Sequence, residues 1–244
     1  MRRRGIRYGV GLPLVILALF GISRFFVGGD DSATEVTDTT AATQTLETLP
    51  GEKEITGKTP CPKTDGTEVR VTQFEQAPSM CIDAKKSYTA IFDTTEGVIE
   101  VALDTKNTPE TVNNFVVLSR YKYYDTSYIF RTDPSIDIIQ GGGSNNTDGP
   151  GYTIKDEGTG FKYSEGDLVM ARSQGPDTGG GQWFFVAGPK ASVLDSQGTY
   201  VTFGKVTKGL DVVKNILALH GGAADQSGAP SKPVKIGSIT ITEK

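Results

Sequence analysis

The sequence predicts a mainly β fold, a closed barrel whose ends are plugged by helices. Short runs of alternating apolar and polar residues recur from Ser87 to the last residue, separated by glycine-rich loops. Only two stretches carry the three-to-four-residue apolar spacing of an amphipathic helix. Many short strands with few helices favour a sheet closed on itself. No internal repeat is visible.

The elements follow in chain order. "SYTAIFDTTEGVIEVALD" contains two alternating runs around Thr94-Thr95-Glu96-Gly97, a hairpin signal, and Ile99, Val101 and Leu103 share one face of the second run. "NTPETVNNFVVLSR" predicts the first helix. Thr108 stands at its N-cap, Pro109 at its first position, and Val112, Phe115 and Val116 along one stripe. Further strands are predicted at "SYIFR", "IDIIQ", "DLVMAR", "QWFFV" and "YVTFGKV". A second helix, "LDVVKNILALH", ends at Gly221-Gly222, and "KIGSITITEK" closes the chain as a strand.

Ahead of this body lie three segments. Residues 1–28 hold five arginines and no acidic residue, and Gly9 to Ser23 is uncharged and mostly apolar. With Arg24 snorkelling, the stretch extends to Val27, between a signal-peptide core and a full span. It is read as a retained single-pass signal-anchor. Cleavage at the weak Gly21-Ile22-Ser23 site, giving a secreted protein, is the alternative. The arginines should stay cytoplasmic, which places the rest of the chain outside the cell membrane. Residues 29–58, rich in threonine and acids, lack the apolar content to fold and are read as a disordered tether. Residues 59–84 form an extension bearing Cys61 and Cys81, and the folded domain is placed at 85–244. An exported domain meets an oxidising compartment, which favours a Cys61–Cys81 disulfide. It would close a loop of about 20 residues, worth on the order of 3 kcal/mol.

Charge and composition exclude several functions. Without the five arginines of the first 28 residues, 20 of the 25 basic residues remain against 29 acidic ones, a net of -9. So acidic a body is a poor nucleic-acid binder. "GPDTGGGQ" lacks the Gly-Lys-Ser/Thr of a phosphate loop, and no metal-ligand spacing or Ser-His-Asp set is present. No cofactor and no metal is expected. His220, the single histidine, sits at a helix end and is read as a partner of the helix dipole.

"GPDTGGGQWFFVAGP" then poses a question. In a strand Trp183 and Phe185 point one way, Gln182 and Phe184 the other. An amide and a phenyl ring on one face suit an apolar pocket with a polar rim, as do Ile138 and Gln140 in "IDIIQ". Spacing alone leaves a pocket wall and a plain core strand both open.

"YIFRTDPSIDIIQGGG", "VMARSQGPDTGGGQWFF" and "VLDSQGTYVTFGKVTKGLDVV", in that order, resemble the signature blocks of cyclophilin-type peptidyl-prolyl cis-trans isomerases over residues 86–243. The anchor, tether and cysteine-bearing extension resemble membrane-anchored actinobacterial members. The resemblance implies an eight-stranded antiparallel barrel capped by two α-helices, with a proline pocket on its outer surface. It implies a catalytic role for Arg131, with Gln140 and Gln182 orienting the arginine or the peptide. Ile138, Ala171, Phe184, Leu194 and Tyr200 fall on its substrate-binding positions. The chain departs from the pattern in places. Asp137-Ile138 replaces Phe-Met, so one aromatic wall is missing unless Ile136 swings in. One extra residue separates Arg131 from Gln140, Arg172 replaces asparagine, and Val193 replaces a tryptophan, which implies weak cyclosporin binding.

The residues suit that chemistry. Rotation about a peptide bond meets a barrier of about 18–20 kcal/mol because C–N has partial double-bond character. No bond to another atom need break. A guanidinium can donate to the prolyl nitrogen as it pyramidalises, and an apolar pocket strengthens that interaction by excluding water. Uncatalysed X-Pro isomerisation takes tens to hundreds of seconds, slow enough to limit folding of exported chains. The expected partners are therefore proline-containing peptides and unfolded or folding exported proteins, with the chain acting as a monomer. Two other functions stand beside this one, a non-catalytic proline-peptide-binding module and a generic adhesion or scaffold domain with no proline preference. The competing role for Arg131 is a surface ion pair with Asp133.

Overall fold

The structure, a computed structural model, describes residues 53–143, 145 and 147–244. The expected signal-anchor lies outside the described residues, as does most of the expected tether. Among the described residues no helix is long and apolar enough to cross a membrane.

Strands β3 (Tyr88–Thr94) and β4 (Gly97–Leu103) form the predicted hairpin, followed by helix α1 (Pro109–Arg120). Then come β5 (Arg131–Asp133), β6 (Ile138–Gly141), β7 (Asp167–Arg172) and β8 (Gly179–Val186). A 3₁₀ helix over Pro189–Ser196, unforeseen in the sequence, precedes β9 (Thr202–Lys208), α2 (Leu210–Ala218) and β10 (Ile236–Glu243). Eight of these strands form one curled antiparallel sheet in the order β10-β3-β4-β9-β7-β8-β6-β5. Its two edge strands share no continuous ladder. Instead, the segment preceding β5 is joined to the approach and first residue of β10: Ile129 N–H donates to Val234 O (3.0 Å) and Ile236 N–H to Ser127 O (2.8 Å). "SYIFR" contributes only Arg131 to a strand, because Tyr128 makes isolated bridges to Gly143 and Lys235.

The alternation read from the sequence places the core. Phe92, Ile99, Val101, Phe203, Trp183 and Phe185 are fully buried inside the curl. The Phe92 ring meets both Trp183 and Phe185 edge-on at 5.1 Å. Each such side chain contributes about 1.5–3 kcal/mol through the water it excludes. Helix α1 inserts Phe115 between Phe92 and Phe203, and α2 inserts Val213 and Ile216. Thr108 occupies the N-cap position of α1 without capping through its side chain. The orphan donors are met from far along the chain, by the Glu157 carboxylate, which accepts from Glu110 N–H (2.9 Å) and Thr111 N–H (2.6 Å). His220 also departs from expectation. It lies beyond α2, with Nδ1 2.8 Å from Thr132 Oγ1 on β5 and Nε2 3.1 Å from Ala223 O.

The tether and the extension need correcting at their described ends. Lys53–Ile55 is not tether but strand β1, paired in parallel with β2 (Val71–Phe74). Nor is the extension merely an appendage, since Val71, Phe74 and Ile82 belong to the main core. Its end lies on α1, where Asn113 Oδ1 accepts from Cys81 N–H (2.7 Å), so α1 is buried on its polar side as well. Cys61 and Cys81 are joined in a disulfide, as expected.

One half-buried carboxyl sets a pH dependence. Burial pushes Asp125 up to about 6, against the pull of Lys122, Arg70 and a hydrogen bond from the Ile239 backbone. A group with a raised folded pKa contributes stability below its unfolded value, near 4, and loses it as pH rises through about 6. Asp125→Asn, which cannot ionise, is therefore expected to be more stable than wild type by ~1 kcal/mol at pH 7.5. That figure is discounted for partial exposure, and the difference should vanish at pH 4. Urea unfolding at the two pH values checks it.

Candidate active site

Strand β8 answers the question posed by the aromatic run. Trp183 and Phe185 face the interior, whereas Phe184 faces out into a second, separate apolar cluster with Ile138, Val169, Ala171 and Val186. One face of the strand is therefore plain core, and the other belongs to an outward apolar cluster. Leu194 and Tyr200, two further expected residues, pack against this outer cluster from the 3₁₀ helix and from the segment before β9. Tyr163, Val169, Val186 and Ala191 also belong to it and were not anticipated. The only signal for Tyr163 was its spacing of two from Phe161 in "GFKYSEGD".

Register brings the polar groups to this cluster. Arg131 of β5 pairs with Gln140 of β6, Gln140 with Phe184 of β8, and Phe184 with Val169 of β7. One outward row therefore runs from guanidinium to amide to phenyl ring. Arg131 Nη1–H donates to Gln140 Oε1 at 2.8 Å, and Gln140 Nε2–H to Gln182 Oε1 at 2.9 Å. Gln182 Nε2–H reaches Asp148 O at 2.7 Å, anchoring the chain of amides to the loop before β7. The Arg131–Asp133 pair foreseen as the competing reading also forms, at 2.6 Å through Nη2. It coexists with the Gln140 bond because a guanidinium carries five N–H donors.

The departures from the sequence pattern find physical explanations here. Asp137 adopts a left-handed conformation, φ 50°, which absorbs the extra residue between Arg131 and Gln140. Its carboxylate turns toward the 3₁₀ helix and accepts from Lys190 N–H at 2.9 Å, leaving the wall to Ile136, which packs on the outer cluster. Val193 points to solvent, 60% exposed, and supplies no wall.

Tyr200 is held from two sides. Tyr163 Oη accepts from Tyr200 N–H (2.9 Å) and donates to Tyr200 O (3.0 Å). Burial pushes the Tyr163 phenol up to about 12, so it keeps the proton it donates. Arg172 lies over the Tyr200 ring at 5.3 Å while bonding Asp156 and Gly175 O, each at 2.9 Å, and Thr199 Oγ1. The ring in turn meets Phe184 edge-on at 5.9 Å. Arg172→Ala is expected to raise the KM of a proline tetrapeptide about fivefold, the ~1 kcal/mol of a partly buried cation–π contact, with kcat within twofold. Arg172→Lys should recover little, because an ammonium cannot span three acceptors and stack. Steady-state kinetics on the three proteins checks both.

Among the described residues no group of three or more histidine, cysteine or acidic side chains could hold a metal ion. Comparison with known proteins agrees with the geometry. The cyclophilin type peptidyl-prolyl cis-trans isomerase/CLD family matches residues 89–241. The chain is 40% identical to peptidyl-prolyl cis-trans isomerase B of Bacillus subtilis over 122 residues, 48% of this chain and 82% of that protein. It is 30% identical to peptidyl-prolyl cis-trans isomerase A of Dickeya dadantii over 188 residues, 73% of this chain and 95% of that one. A Cryptosporidium parvum cyclophilin-type isomerase, crystallised in the presence of the dipeptide Ala-Pro, superposes with a TM-score of 0.54 at 26% identity, covering 64% of this chain and 99% of the other. With the match spanning nearly the whole curled sheet, the chain belongs to the cyclophilin-type peptidyl-prolyl cis-trans isomerases and carries that activity.

Proposed function

We propose that the chain isomerises X-Pro bonds of exported proteins as they fold, on the outer side of the membrane that its N-terminal segment anchors it to. Arg131 is the catalytic group, and Gln140 and Gln182 hold it and the peptide. The observation that carries this reading is the outward row Arg131–Gln140–Phe184, which sets a cation at the edge of an apolar cluster. Ile138, Ala171, Phe184, Leu194 and Tyr200, which cluster on that outward face, would hold the pyrrolidine ring.

In the planar ground state the prolyl nitrogen lone pair is delocalised and a poor acceptor. In the twisted state it localises, so a guanidinium N–H bonds the transition state more strongly than the substrate, which is what acceleration requires. Among the described residues, the bonds from Arg131 to Ser227, Gln140 and Asp133 use one N–H on each nitrogen. One N–H on Nη1 and one on Nη2 remain to meet a peptide.

The test is cis-to-trans conversion of a proline tetrapeptide by the full-length chain in detergent, wild type beside Arg131→Ala. Equal acceleration by the two proteins, with peptide binding retained, would remove Arg131 from the mechanism. Protease accessibility of the domain in intact cells tests the outward orientation, and the intact mass of the membrane-fraction protein distinguishes anchor from cleaved leader.

A further inference from the structure

We infer that Asp133 and Ser227 are positioning residues that fix the direction in which the Arg131 guanidinium presents its remaining N–H groups; this rests on the catalytic reading of Arg131. The three nitrogens of the guanidinium are each held by a different element. Gln140 of β6 takes Nη1, Asp133 of β5 itself takes Nη2 at 2.6 Å, and Ser227 Oγ takes Nε at 2.7 Å.

Neither holder is adventitious. Asp133 is only 4% exposed, and its second oxygen is occupied by the Ser135 N–H (3.1 Å) and hydroxyl, so the carboxylate cannot swing away from the arginine. Ser227 comes from the glycine-rich loop between α2 and β10, and main-chain pairing delivers it. Thr132 N–H donates to Gly228 O at 2.7 Å and Gly228 N–H to Thr132 O at 2.9 Å. Because Thr132 and Gly228 each follow one member of the Arg131–Ser227 pair, this two-way bridge sets the hydroxyl beside Nε. His220 secures the same point through Thr132 Oγ1.

The consequence is specific. An arginine side chain has four rotatable bonds, and a guanidinium bonded at a single nitrogen still swivels about the others. Bonds on three nitrogens leave one orientation, so the entropy of aligning the N–H with the prolyl nitrogen is lost on folding rather than in each turnover. Loss of either holder should therefore lower kcat and leave KM nearly alone, because the apolar cluster that binds the ring is untouched.

The test uses full-length protein in detergent micelles. Ser227→Ala and Asp133→Ala are each expected to lower kcat about fivefold with KM within twofold, and Ser227→Thr and Asp133→Asn, which keep an acceptor oxygen, to recover at least half of the loss. The Arg131 Nε–H resonance, identified by its disappearance in Arg131→Ala, should be protected from solvent exchange in wild type and lose that protection in Ser227→Ala. Wild-type kcat in both alanine variants overturns the inference, as does a fall in kcat with Nε–H protection unchanged. If Arg131→Ala itself turns over like wild type, the catalytic reading fails first, and this inference with it.

Discussion

Arg131→Ala is expected to lower kcat/KM for a proline tetrapeptide about a hundredfold, the effect of removing one preorganised donor aimed at a transition state. It should also cost stability, for a separate reason. Asp133 is nearly fully buried and Arg131 is the cation against it. Breaking a buried pair from one side leaves a charge without its partner, which costs about 3–5 kcal/mol when both groups are buried. Here the arginine is one-third exposed, so water can reach the vacated space, and ~2 kcal/mol is the appropriate figure. The two effects separate in a double variant. Arg131→Ala with Asp133→Asn removes the buried anion along with its partner. It should regain most of the lost stability in urea unfolding while remaining as inactive as the single variant. Recovery of activity together with stability would mean that the single variant was merely unfolding.

The site divides into what residue order could express and what it could not. The two faces of β8 were legible, since a period of two in "QWFFV" fixes which rings travel together whatever the fold around them. Arg131 and Gln140 were legible as residue types in a motif, and their pairing follows because β5 and β6 are neighbours in sequence and in the sheet. Ser227 was not legible. It lies 96 residues beyond Arg131, and only the Thr132–Gly228 bridge, a main-chain contact with no side-chain signature, brings it there. Glu157 eluded the sequence for the same reason, capping α1 from 46 and 47 residues away while Thr108 stood in the expected place. Asp137 reads as a lost aromatic wall until its left-handed backbone is seen, because a one-residue insertion shifts which neighbour faces the cluster. Strand β1 escaped notice because three residues, two of them charged, carry no periodicity.

The largest stability effect should come from the extension rather than the curled sheet. The Cys61–Cys81 disulfide spans 20 residues, and closing a loop of that length removes enough freedom from the unfolded chain to be worth on the order of 3 kcal/mol. The loop it closes holds Val71 and Phe74, and Phe74 meets Tyr121 edge-on at 5.2 Å. Cys81 lies where the segment docks on Asn113 of α1. Replacing both cysteines by serine should leave the fold intact, because burial of Val71, Phe74 and Ile82 still favours the docked extension. The melting temperature should fall by roughly 6–12 °C for a domain of this size. Amides of α1 should also exchange faster than those of β8, since the cover over that helix now opens without the rest of the sheet. Turnover at 25 °C should stay within twofold of wild type, because the outer cluster around Phe184 contains no residue of the extension. Wild type under a thiol reductant should reproduce each of these changes. An unchanged melting temperature would mean that the unfolded chain is already confined near residues 61–81 without the bond, and a large loss of turnover would mean that the extension and the outer cluster are coupled through α1.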